Sequence, residues 1–211
     1  MDYDRVDAAF SYSQNALHRA KHWQTAPPPE TDLDRRAIQY LGVLRDLAVQ
    51  PSWITLAHVA DPPGALLTAI GQHIHRLNQR LDAILNDLLA CFEPSQQPRV
   101  EIWAAPLDPT IGIDGFCNHR LAPIRLMVDP SQILAADWPA LVAHELAHGV
   151  AGSSGHDDGF SRAIAHLCLA QDLPLPAANP TAASLRYWPP CRRRSQPEQF
   201  WRHQLTQPDW S

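Results

Sequence analysis

Four residues between positions 144 and 156 have the chemistry of a metal centre. They are His144, Glu145, His148 and His156, in the stretch "HELAHGVAGSSGH". On a helix, four residues advance about 400°, so His144 and His148 share one face, a turn apart. Two imidazoles placed this way can both reach one ion at about 2.0–2.1 Å. Glu145 then lies beside the ion rather than on it, where a carboxylate can take a proton from metal-bound water. This is the H-E-x-x-H arrangement, in which two His bind zinc and the Glu is the general base.

A catalytic zinc takes three protein ligands and keeps one position open. The H-E-x-x-H-x-x-G-x-x-H pattern is excluded, because its glycine and third His would fall on Ala151 and Ser154. A downstream Glu is another common third ligand, but no Glu occurs between Glu145 and Glu198. His156 is the leading candidate, with Asp157 and Asp158 as lesser ones. Gly149, Gly152 and Gly155 cost about 1 kcal/mol each in a helix interior. Gly152 can end the first helix, and "GSSG" can turn the chain so that His156 opens the next helix over the first. One of the two aspartates can cap that next helix, and one can orient a ligand His from behind.

Such a constellation needs a frame of elements around it. Asp137 and Pro139 predict a helix from Trp138 to about Ala151, and a second helix runs from Asp157 or Asp158 to Ala170. Upstream, "RVEIWAAPL" (99–107) and "PIRLMVD" (123–129) read as strands, with a third short strand or hairpin arm in "IGIDGFCNH". Before them the pattern is helical: 4–24, then Asp32 or Leu33 to Val49 with Thr31 or Asp32 as cap, then Pro63 to Phe92. In the last of these, Ile70, Ile74, Leu77, Leu81, Ile84 and Leu88 form an apolar seam at heptad spacing, expected to pack within the chain. The tail is rich in Pro and Trp, with one short helical stretch at 197–206. The expected class is therefore α+β. A helical half (1–93) precedes a small zincin-like unit (97–175) with a short antiparallel or mixed sheet, and a tail (176–211) packs on it.

With these residues in view, the chain resembles the SprT-like metallopeptidases, a compact zincin family. The resemblance rests on "HELAH", the short loop, then "HDDGF", with "DGFCNHRLAPIRLMVDPSQIL" upstream. It covers about residues 97–175. It implies a zinc-dependent peptidase site in which His144, His148 and His156 are the ligands and Glu145 is the catalytic residue. It also implies that Phe160 is the aromatic that packs behind the third ligand. The Cys-rich zinc ribbon of many bacterial members has no counterpart, since only Cys168 and Cys191 follow the motif.

Composition narrows the classes. Hydrophobic residues reach 45%, enough for a real core, and the net charge of −5 does not advertise nucleic-acid binding. The four scattered cysteines read as free thiols of a reducing compartment. The N-terminus lacks the apolar core of a signal peptide, and no apolar run approaches the roughly eighteen residues of a membrane helix. A cytoplasmic enzyme acting on protein or peptide is expected. Two other readings stand beside it: a zinc-stabilised adaptor without turnover, and a nucleic-acid-associated protein using Arg192–Arg194 with Tyr187, Trp188 and Trp201. His119 is expected to be a solvated loop residue, and His73 and His75 face apart and make no ligand pair. The strand at 124–128 is read as an edge strand that can hold an extended substrate.

Overall fold

The apolar seam organises the core. A computed structural model describes residues 32–56 and 63–201. In it, Ile70, Ile74, Leu77, Leu81, Ile84 and Leu88 are all buried inside the single chain. Burial of each such side chain contributes about 1.5–3 kcal/mol. They lie on α2 (Pro63–Leu89), which packs against α1 (Leu33–Leu47). Asp32 caps α1 by accepting from the Arg35 N–H at 3.0 Å. The two helices approach closely where Gly71 meets the carbonyl of Leu33, and a Cβ on Gly71 would lie 2.0 Å from that oxygen. The helix expected at 4–24, part of the connector at 57–62 and the residues after 201 lie outside the described residues.

The sheet is small and mixed, as an α+β chain of this pattern requires. Its strands are β1 (Val100–Ala104), β2 (Gly115–Asn118) and β3 (Ile124–Val128), in the order β1-β3-β2. β3 runs parallel to β1, with Ile102 opposite Leu126, and antiparallel to β2, with Phe116 opposite Met127. This corrects the expectation that 124–128 is an edge strand. β3 is the central strand and both of its edges are already paired. The chain returns alongside β1 on one side, and the tight connection at 119–123 brings β2 to the other. Among the described residues β2 is an outer strand and keeps one edge unpaired.

One apolar cluster joins the helical half to the sheet and the tail, from Ala37 through Trp103 and Trp138 to Trp201. Buried polar groups fix the contact. The Ala104 N–H donates to Asn78 Oδ1 at 2.9 Å, the Tyr40 hydroxyl donates to the Ala104 carbonyl at 2.6 Å, and Asn78 Nδ2 donates to the Tyr40 oxygen at 3.2 Å. The end of β1 is thereby satisfied by two helices, as buried backbone groups must be. Asp129 performs a similar task at the end of β3. It accepts from the backbone N–H of Leu107 and Ser131 and from Trp201 Nε1. Burial pushes its carboxyl up to about 6.

Helix α3 (Trp138–Ala151) packs on β2, β3 and α2, and α4 (Asp158–Ala170) packs on α3. Gly152 ends α3 in the left-handed conformation, φ 63°, where the Ser153 N–H reaches back to the His148 carbonyl. Asp157 caps α4 through the Phe160 N–H at 3.0 Å. Asp137 occupies the N-cap position of α3, as expected, without the capping bond. Its carboxylate instead accepts from the Arg192 backbone N–H at 2.7 Å and from the guanidinium at 2.8 and 2.9 Å. A charged fork outcompetes the helix terminus for those oxygens. Past the one-turn helix α5 (Ala182–Leu185), the tail is stitched to the segment before α3. The Leu134 N–H donates to the Arg192 carbonyl, and the Arg194 N–H to the Gln132 carbonyl. No helix of the described residues is long and apolar enough to cross a membrane.

Candidate metal centre

His144 and His148 stand on one face of α3, and the turn at 152–155 brings His156 against them. One ring nitrogen of each lies within 4.8 Å of those of the other two, and Nε2 of His144 and His156 are 3.3 Å apart. Two ligands about 2.05 Å from a tetrahedral ion would stand about 3.3 Å from each other. No other group of three His, Cys, Asp or Glu side chains among the described residues converges in this way.

The opposite ring nitrogens fix the chemistry of two ligands. His144 Nδ1 lies 2.7 Å from the Trp188 carbonyl, and His148 Nδ1 lies 2.9 Å from the Ser153 carbonyl. A carbonyl only accepts, so both Nδ1 atoms carry the proton. Each Nε2 is then a bare lone pair turned toward the shared space. The orienting groups are backbone carbonyls and not the aspartates that the sequence offered. Asp157 is engaged elsewhere, with the Ser153 hydroxyl at 2.8 Å and the α4 terminus. Burial pushes the imidazoles of His144 and His148 down to about 4, and burial and Arg186 push His156 down. All three are therefore neutral at pH 7, the state a metal requires. The donor set fits a divalent ion with imidazole preference.

Glu145, one position along α3 from His144, faces β2 and the same cleft. It is 5% exposed, and burial together with the nearby Asp114 raises its carboxyl to about 8. Gly115 of β2 leaves room for it: a Cβ there would lie 3.0 Å from Glu145 Cγ and Oε1. Phe160 packs edge-on or tilted against all three imidazoles, with ring centroids 5.0, 4.5 and 4.6 Å from those of His144, His148 and His156.

The three His and Glu145 line one cleft of about 620 Å³. One wall is β2 with the residues before it, Gly112–Cys117, together with Trp53, which meets Phe116 edge to face at 5.2 Å. The opposite lining comes from the tail, Arg186–Cys191 and Arg193. Sequence reasoning reads Tyr187, Trp188 and Arg193 only as part of a nucleic-acid surface and places none of these tail residues at the cleft. Trp188 acts through its carbonyl, which every residue has, so its identity carried no signal. His119 is half-buried and close enough to His148 to repel its protonated form. His73 and His75 sit on α2, away from the cluster. Cys117 lines the cleft, and burial and Glu145 push its thiol up to about 12, which makes it a poor nucleophile. Of the tail arginines, Arg192 binds Asp137, Arg193 binds Asp114 at 2.6 Å, and Arg194 lies over the Phe200 ring.

Compared with known proteins, the chain matches no family model, no curated protein and no solved structure.

Proposed function

We propose that this chain is a zinc-dependent peptidase of the zincin type, with His144, His148 and His156 as ligands and Glu145 as general base. The observation that carries the reading is the convergence of three imidazoles, two of them with the Nδ1 proton fixed by a carbonyl, with a buried carboxylate beside them in a cleft. Zinc bound there would polarise a carbonyl and acidify a water. A purely structural zinc takes a fourth protein ligand, and the described residues offer none to this cluster.

The protein's own groups supply the rest. Glu145 accepts the proton of the attacking water and returns it to the leaving amine. Its raised carboxyl is the metal-free condition, and a nearby dication favours the ionised base. The free edge of β2 accepts an extended peptide by main-chain pairing, in the role the sequence had given to 124–128. The apolar lining from Trp53, Phe116, Leu141 and Trp188 excludes bulk water from the reacting bond.

Glu145→Gln tests the reading. The variant should keep one zinc per chain and lose cleavage of an unfolded protein substrate, while His156→Ala should lose both. Zinc binding by the parent without cleavage of any unfolded substrate would sink the peptidase and leave a zinc-stabilised adaptor.

A further inference from the structure

The charges on the cleft walls do not balance by accident. Apart from the imidazoles, the charged residues that line it are Asp114, Glu145, Arg186 and Arg193. Asp114 and Arg193 neutralise each other at 2.6 Å. Glu145 has its task in the proposed chemistry. Arg186 remains, and it makes no ion pair with any carboxylate among the described residues.

Arg186 is nevertheless held in place. Its backbone N–H donates to the Ala182 carbonyl, and the following Trp188 N–H donates to the carbonyl of Leu185, whose side chain is buried. Its guanidinium lies over the Tyr187 ring, 5.4 Å from the centroid. A cation–π contact of this kind does not use up the N–H donors of a guanidinium. The group is close enough to His156 for its charge to be felt there. An exposed, ring-supported fork of donors at the mouth of a cleft matches a carboxylate.

We propose that Arg186 is a specificity residue that selects substrates carrying a carboxylate close to the bond held at the three-His centre. The carboxylate comes from an acidic side chain or from a free C-terminus. Cleavage of a bond at the three-His centre rests on the peptidase reading, whereas the preference for carboxylate is a property of the cleft itself.

Binding tests it without turnover. Zinc-loaded Glu145→Gln protein is titrated with fluorescent, unfolded peptides that differ only in Glu against Gln beside a central apolar residue. Each peptide is made as a free acid and as a C-terminal amide. Carboxylate-bearing peptides should bind about tenfold tighter than neutral ones. The Glu/Gln and acid/amide pairs tell the two sources apart. Adding Arg186→Ala should abolish the difference, and Arg186→Glu should invert it in favour of a Lys peptide. Equal binding of all peptides, a preference that survives Arg186→Ala, or no binding of any peptide would each overturn the proposal. Charge-selective binding in a chain whose parent cleaves nothing would keep Arg186 in this role and remove the peptidase.

Discussion

The Trp188 carbonyl accepts a hydrogen bond from His144 Nδ1 at 2.7 Å, across 44 residues of sequence. His144 therefore takes its tautomer and ring orientation from the tail. Groups that orient ligands from behind are worth about 10–100-fold in metal affinity when removed.

That link makes a distant aspartate matter. Asp137 grips Arg192 through three hydrogen bonds, and Arg192 belongs to the same strap as Trp188. Asp137→Ala should weaken zinc binding by up to about tenfold, since the strap keeps its backbone bonds to Gln132 and Leu134. Competition with a chromogenic chelator measures this. Unchanged affinity in a chain with a lowered melting temperature would uncouple the strap from His144.

Gly115 should control turnover and not metal. An added methyl would press on Glu145 and on the Met127 carbonyl at 3.0 Å. A displaced base can cost about 100-fold for 1 Å. Gly115→Ala is expected to lower kcat by about 10- to 100-fold with one zinc still bound. Full activity would show that Glu145 tolerates the shift.

Gly71 should control stability and not chemistry. A side chain there meets the Leu33 backbone, which has no rotamer to escape by. Gly71→Ala should destabilise the fold by about 1–3 kcal/mol or more in denaturant titration. A variant as stable as the parent would mean that α1 can shift away from α2 without cost.

Asp82 should give the chain a pH-dependent stability away from the three-His cluster. Burial, with Glu101 nearby, raises its carboxyl from 3.8 to about 7. The folded state thus holds this proton more tightly than the unfolded one. Stability associated with this group is full below pH 4 and is lost as pH rises towards 7. Asp82→Asn should exceed the parent in melting temperature at pH 8 and lose that advantage near pH 4. A constant difference across the range would assign the effect to something other than ionisation.

Much of this architecture is legible in the sequence, and the limits have physical reasons. The α2 seam, the span of α3 and the stop at Gly152 follow from periodicity and capping, which are local. The convergence of His156 on His144 was readable because glycines and a cap leave the intervening loop few paths. The place of β3 in the sheet was not readable, since pairing depends on partners far along the chain. Asp137 does stand at the N-cap of α3, but its side chain is taken by Arg192, which only the fold brings within reach. The roles of Arg186 and Trp188 depend on where a proline-rich tail docks, which local propensity does not encode.

Phe160 packs against three imidazoles, two from α3 and one from the turn that follows it. A single ring is thus a contact that all three imidazoles share, beside the carbonyls that orient His144 and His148. Any shift of that ring moves all three together, so their errors are correlated rather than independent. Assembly of the site is then a concerted event: the tripod stands complete or falls as one, and a chain with a single stray leg is the state its packing makes rarest.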